Sequence, residues 1–387
     1  MMVDDVLAGL IVAAVTAVVG WLYTCGLLVD WLSGVSVVFD PEMAKARKDS
    51  AQSSGELLRM VLRDQSRFGR HRGQFGRFRT LRQATVWSPR VERMFSKPRM
   101  YMTRWPCRVL KRHGLAPRAL VRATEGVRRL FENNVILGEE DGNPFAWRRR
   151  RFVNYRHTIC AALILFEQKG WEEQTKAVVG AMLSRGEEWR QRGGWLHSDA
   201  EPDSADLYST LYAVQLLDAV AGCGDVWTAL AEAAEAALQQ SLVYLENEWK
   251  QNGWKYRTLS AEESFPLAFV EISDVLRRRR PHLHEKVVDR LLLHRNPAGG
   301  LQAEYLKRVR EQSDVSVECL LARFAYAIYR ARLPRSDWEP LRDAAFAGEI
   351  GSLTAVEAAF LLDLEASSLV SSAERSDSDE CLGDLGT

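Results

Sequence analysis

From residue 118 onward the chain alternates two kinds of apolar patterning. One set of segments, Val153–Gln168, Asp206–Val220, Glu263–Leu276, Val315–Arg330 and Leu353–Glu365, is rich in alanine and larger apolar residues around most of the helical circumference. Helices apolar on nearly all sides are covered on nearly all sides, so these five are predicted as an inner layer. The segments between them, Arg118–Val135, Trp171–Gln191, Val226–Gln251, Pro281–His294 and Ser336–Phe346, carry more charge and one apolar face, as outer helices do. Loops with glycine and often tryptophan lead from outer to inner: NPFAW ending at Trp147, RGGW at Trp195, QNGW at Trp254, AGGL at Leu301 and AGEIG around Ile350. These anchors are 48, 59, 47 and 49 residues apart. Such a period marks a helical-hairpin repeat whose units must stack to cover one another.

A different pattern opens the chain. Val6 to Val29 is a run of 24 residues without a charge, which as a helix spans about 36 Å and can cross a hydrocarbon core of about 30 Å. A transmembrane helix is therefore expected within residues 6–32, after a short extracytoplasmic stretch at 1–5. Asp4 and Asp5 stand where a signal peptide would carry positive charge. Trp21, Tyr23 and Trp31 fall in its last third and beyond, where an aromatic belt sits. Lys45, Arg47, Lys48, Arg59 and Arg63 follow the run and no basic residue precedes it. By the positive-inside rule this single-pass protein has its N-terminus outside and its bulk in the cytosol.

Composition, 47% hydrophobic and 27% charged, excludes a chain disordered throughout and a disulfide-stapled miniature. The net charge of +1 hides three blocks: −5 over residues 1–44, +19 over 45–157 and −13 over 158–387. The basic block centres on a neck at 33–117, where Arg67, Arg70, Arg72, Arg77, Arg79 and Arg82 alternate with Phe68, Phe75 and Phe78. Beside a membrane such a segment suits anionic lipid. Docking on the acidic C-terminal domain and a grip on single-stranded nucleic acid are the alternatives. Pro89, Pro98, Pro106 and Pro117 are expected to break any long helix there. Residues 369–387 form a polar, acidic tail expected to be disordered. Six scattered cysteines show no metal-binding spacing.

The G-G-W loop Gly193–Trp195 followed by Asp206, Tyr208, Thr210, Tyr212 and Ala213, the N-G-W loop Asn252–Trp254, and the G-G-L loop Gly299–Leu301 followed by Ser313 and Asp314 resemble the α/α-toroid of terpenoid cyclases and protein prenyltransferases. The resemblance covers residues 118–368 and implies an all-α, toroid-like array of about five hairpins, with inner-helix N-termini at the mouth of a central cavity. It would place Trp195, His197, Asp199, Asp203, Asp206, Tyr208, Tyr212, Trp254 and Asp314 at that mouth as ligand-binding candidates. The cyclase D-x-D-D motif is replaced by a D-x-x-x-D-x-x-D spacing at Asp199, Asp203 and Asp206, and Asp314 with Cys319 does not reproduce the prenyltransferase zinc element. No catalytic residue, metal or cofactor is assigned. Asp203 or Ser204 as a helix cap, and Tyr208 and Tyr212 as core, are the competing readings.

Two arginine quartets remain. Arg277–Arg280 ends an inner helix before Pro281, where cations complement the helix dipole. Arg148, Arg149, Arg150 and Arg151 precede a helix, where the dipole disfavours them, so they are the better anion or lipid candidates. Together these features lead to a membrane-anchored helical module that binds a small ligand or a protein partner. An isoprenoid-acting enzyme and a membrane-tethered nucleic-acid binder are the alternatives.

Overall fold

The computed structural model describes residues 53–65, 73–75, 100–134, 147–149, 152–168, 172–198, 204–223, 227–255, 261–296, 300–312, 315–348 and 353–380. Fourteen helices and two short antiparallel ribbons account for most of them. The apolar run at 6–29 lies outside the described residues; among those that are described, no helix is long and apolar enough to cross a membrane.

Six helices form a closed ring: α2 (Met100–Arg112), α4 (Tyr155–Gln168), α7 (Leu207–Ala221), α9 (Ala261–Arg279), α12 (Val317–Arg330) and α14 (Ala355–Glu380). Each packs on the next, and α14 packs back on α2. Outside them lie α3 (Pro117–Asn134) on α2 and α4, α5 (Glu172–Ser184) on α4, α8 (Thr228–Asn252) on α7, α10 (Pro281–Leu293) on α9, and α13 (Arg335–Ala347) on α12. The sixth outer helix is α1 (Ser53–Arg63), which covers α14. The short α6 (Gly186–Trp189) and α11 (Ala303–Gln312) occupy connections.

The array expected from residue 118 is present, with one correction: the ring begins before that boundary. Its first inner and last outer helices come from the segment expected to be a neck, so six hairpins close where five were counted. Pro106 sits inside α2. It removes one backbone donor, and burial of Trp105, Cys107, Val109 and Leu110 on neighbouring helices offsets that loss. Phe75, expected at a lipid surface, is fully buried in the core, and its backbone N–H donates to Thr103 Oγ1 at 3.1 Å. Gln65 pins the same loop to α3, donating to the carbonyls of Gly73 at 3.1 Å and Ala119 at 2.7 Å. Gly73, at φ +91°, passes so close that an added Cβ would lie 2.0 Å from the Arg122 carbonyl oxygen.

Local signals set the inner helices. Asp206 caps α7 by accepting from Ser209 N at 2.8 Å, and Ser316 caps α12 by accepting from Cys319 N at 3.2 Å. Gly253, left-handed at φ 58°, ends α8. Earlier in the chain, between α6 and α7, the hairpin of β3 (Arg190–Gln191) and β4 (Gly194–Trp195) turns the chain inward. At its tip Gly193 has φ +88°, and a Cβ there would meet the Gln240 carbonyl oxygen at 2.7 Å.

Candidate functional site

The middle of the ring is filled. Arg104, 1% exposed, projects from α2 and donates to Glu167 of α4 at 2.6 Å, to Gln215 of α7 at 2.6 Å and to Glu271 of α9. Trp105 donates through Nε1 to Glu271 at 2.7 Å and meets Tyr326 and Phe360 edge-on, ring centroids 5.5 and 5.3 Å away. Tyr326 stacks on Phe360 with centroids 4.3 Å apart. A buried guanidinium is tolerated because two carboxylates and an amide surround it. The Glu167 carboxyl is burdened by burial, yet the Arg104 and Arg108 charges outweigh that and hold it below the usual range.

One end of the ring is open. A cavity of 970 Å³ lies where the last turns of α2, α4 and α12 converge with Asp274 of α9 and with Asp363 and Ser367 of α14. Six cations line it, Arg108, Lys111, Arg112, Arg330, Arg332 and Arg335, against three acids, Glu167, Asp274 and Asp363. The acids are already engaged. Asp363 accepts from Tyr326 at 2.7 Å and from Arg112 at 3.1 Å, and lies 2.6 Å from His113 Nε2. Burial opposes its ionisation, but those partners hold its carboxyl below the usual range. Asp274 is shared by Arg277 and Arg330, and Glu167 by two nitrogens of Arg104.

That leaves cations unmatched. Arg108 makes no hydrogen bond among the described residues; its nearest carboxylate oxygen is 3.8 Å away on Glu167, and its guanidinium lies 5.0 Å from the centroid of Trp105. Arg330 lies over the same indole at 5.5 Å, and its buried Nε has no partner. Burial lowers the Arg108 pKa, and the neighbouring Arg104 and Arg330 charges add to that. Lys111 donates to a neutral acceptor, the Glu167 carbonyl. Arg335, at the start of α13, is paired with Glu339 at 2.5 Å, and Arg112 and Arg330 are paired with Asp363 and Asp274. Arg108, Lys111 and Arg332, at helix C-termini that favour cations, remain among the described residues as a surplus that an entering anion would neutralise.

The residues expected at a mouth lie at the opposite, N-terminal end of the inner helices, and those described are packed there. Trp195 is fully buried, its Nε1 donating to Ser241 Oγ at 2.9 Å and its backbone N–H to Thr210 Oγ1 at 2.9 Å. Trp254 is equally buried and donates to the Leu245 carbonyl at 2.9 Å. Asp206 is the cap of α7, in place of Asp203 or Ser204. Tyr208 and Tyr212 are core residues with ring centroids 6.3 Å apart, and burial holds the Tyr212 phenol well above its ordinary value. His197 is half-buried, and its carbonyl accepts from Arg156 N at 3.4 Å. Asp199, Asp203 and Asp314 lie outside the described residues, as do Arg67, Arg70, Arg72, Arg77, Arg79, Arg82, Arg150 and Arg151. Arg148 and Arg149 belong to β1 (Trp147–Arg149), paired with β2 (Phe152–Asn154) just before α4.

The second quartet is structural. Arg278 and Arg279 reach Asp218 at 2.5 and 3.0 Å, Arg279 also reaches Glu235 at 3.2 Å, and Arg280 donates to Gln239 at 2.8 Å. Sequence reasoning missed the cavity cations. The signal was the four-residue spacing of Arg104, Arg108 and Arg112, which puts three guanidiniums on one face of a helix. Among the described residues no three His, Cys, Asp or Glu side chains converge as a metal centre requires. No family model matches the chain, and neither a curated protein nor a solved structure matches it.

Proposed function

We propose that this protein is a membrane-tethered module that binds an anionic ligand in the cavity at the C-terminal end of its helical ring. One observation carries the reading: the cavity holds three more cations than acids, and Arg108 faces it without a hydrogen bond. A half-buried guanidinium short of a partner gains more from an incoming anion than a solvated one does. The uncharged run at 6–29, with its basic flank on the C-terminal side, supports the tether and a cytosolic ring. The isoprenoid-enzyme alternative calls for an apolar hollow, whereas Arg104, Trp105 and Tyr326 fill the centre and charge lines the open end.

The test is the melting temperature of the full chain against acetate, citrate, sulfate and phosphate, each at ionic strength matched with chloride. A ligand at one hundred times its dissociation constant adds about 2.7 kcal/mol of stability. At least one anion is expected to raise the melt beyond chloride, and the Lys111→Gln/Arg332→Gln pair to reduce that rise. If no anion exceeds chloride, the reading fails.

A further inference from the structure

We propose that the anion is the dianionic phosphate group of a phosphomonoester, held by Arg108 and Arg330, which both lie against the Trp105 indole. The inference rests on the reading that the cavity takes an anion, and it names which one. Both guanidiniums lie within 5.5 Å of the same ring centroid. Arg108 has its whole fork unspent on hydrogen bonds, and Arg330, with its side chain 9% exposed, has a buried Nε without an acceptor while its Nη2 holds Asp274. A carboxylate has two oxygens in one plane and one charge. It can satisfy one fork and leaves two units of the surplus uncompensated. A phosphate presents three oxygens in a tetrahedral array and carries close to two charges at neutral pH, so it can accept from both arginines at once. Lys111 and Arg332 at the rim supply long-range attraction for such a group.

The shared chemistry is a phosphate monoester, whether on a soluble metabolite or a lipid headgroup. The probe is methyl phosphate, titrated calorimetrically into the full chain at about pH 5 and about pH 7.5, with sulfate and acetate alongside. With a second ionisation near 6, the dianion fraction rises about tenfold across that interval, and the affinity for methyl phosphate should rise with it. Sulfate is dianionic at both pH values and reads any titration of the protein itself. Arg108→Gln should weaken methyl phosphate by about tenfold or more, the worth of a charge-assisted hydrogen bond. Arg330→Lys keeps the charge beside Asp274 but removes Nε, and should weaken it severalfold, while Arg278→Gln, whose partner is Asp218, should leave it unchanged.

Equal binding of acetate and methyl phosphate, with no rise relative to sulfate, overturns the phosphate assignment and leaves the anion site standing. Absence of any binding overturns both. Binding that survives Arg108→Gln and Arg330→Lys overturns the location. Displacement of methyl phosphate by vesicles of phosphatidylcholine containing phosphatidic acid, and not by phosphatidylcholine alone, supports the assignment with a headgroup as source; retention against both supports it with a soluble ester.

Discussion

Arg104→Met removes a guanidinium that ties three ring helices together through a fourth. The arginine spends its donors on Glu271, on Gln215 and, twice, on Glu167. Deleting one partner of a buried ion pair costs about 3–5 kcal/mol, because the other charge is stranded away from water. Here the stranding is incomplete. Glu271, 3% exposed, keeps donors from Trp105 Nε1 at 2.7 Å and Gln215 Nε2 at 3.3 Å, and Glu167, 21% exposed, has Arg108 nearby. The expected loss therefore sits at the low end, about 3 kcal/mol, or a melting decrease of roughly 4–5 °C. Glu271→Met in the same background should restore part of it, since two apolar side chains replace a pair whose desolvation was already expensive. The assay is urea unfolding of the full chain by tryptophan fluorescence and near-ultraviolet circular dichroism, whose coincidence checks two-state behaviour. A double-mutant cycle should give a coupling of about 1–3 kcal/mol. A single-mutant loss below about 1 kcal/mol, or a coupling within about 0.5 kcal/mol of zero, would refute the view that this network clasps the ring.

Two further outcomes follow from the caps and the cavity wall. Asp206→Ala should cost about 1 kcal/mol in the same unfolding assay and leave anion affinity intact, since the cap lies at the far end of the ring; a fall in affinity would contradict that placement. The Asp363 carboxyl is held below its unfolded value of about 3.9, so its contribution is complete above that pH and is lost as pH falls through the folded value. Asp363→Asn should accordingly flatten the acid side of the stability profile, and an unchanged slope between about pH 2.5 and 5 would contradict it.

What the sequence disclosed and what it withheld divide along physical lines. The inner helices α4, α7, α9 and α12 follow their expected spans closely because packing on several sides leaves an all-round apolar signature that needs no knowledge of neighbours. The glycines of the RGGW and QNGW loops were legible for a similar reason: Gly193 and Gly253 adopt positive φ. Helix α2 was not legible. Its sequence, MYMTRWPCRVLKR, carries four cations and an internal proline, the marks of an exposed and broken segment. The partners that make Arg104 tolerable lie 63, 111 and 167 residues away. The cavity was hidden likewise, since Arg108 to Arg112 and Arg330 to Arg335 each resemble ordinary charge at a helix end until closure sets them face to face. Trp195 and Tyr212, by contrast, have residue types that suit a ligand wall and a packed core equally, and only burial decides between the two.

The contact between Arg112 and Asp363 joins positions 251 residues apart. Closing a flexible loop of that length would cost about 5 kcal/mol of chain entropy, a cost that the packing of the intervening ring helices lowers by shortening the loop. During synthesis α2 leaves the ribosome first among the ring helices and α14 last, so one flank of α2 waits for its partner through the whole translation of the ring. A ring still lacking α14 would be an open crescent, with the flanks of α2 and α12 that pack on α14 uncovered. Each end can be met by the complementary end of another crescent as readily as by its own. Premature termination before α14 would on this account yield chains that join end to end, with the length of the assembly set by how many crescents are present rather than by any single molecule.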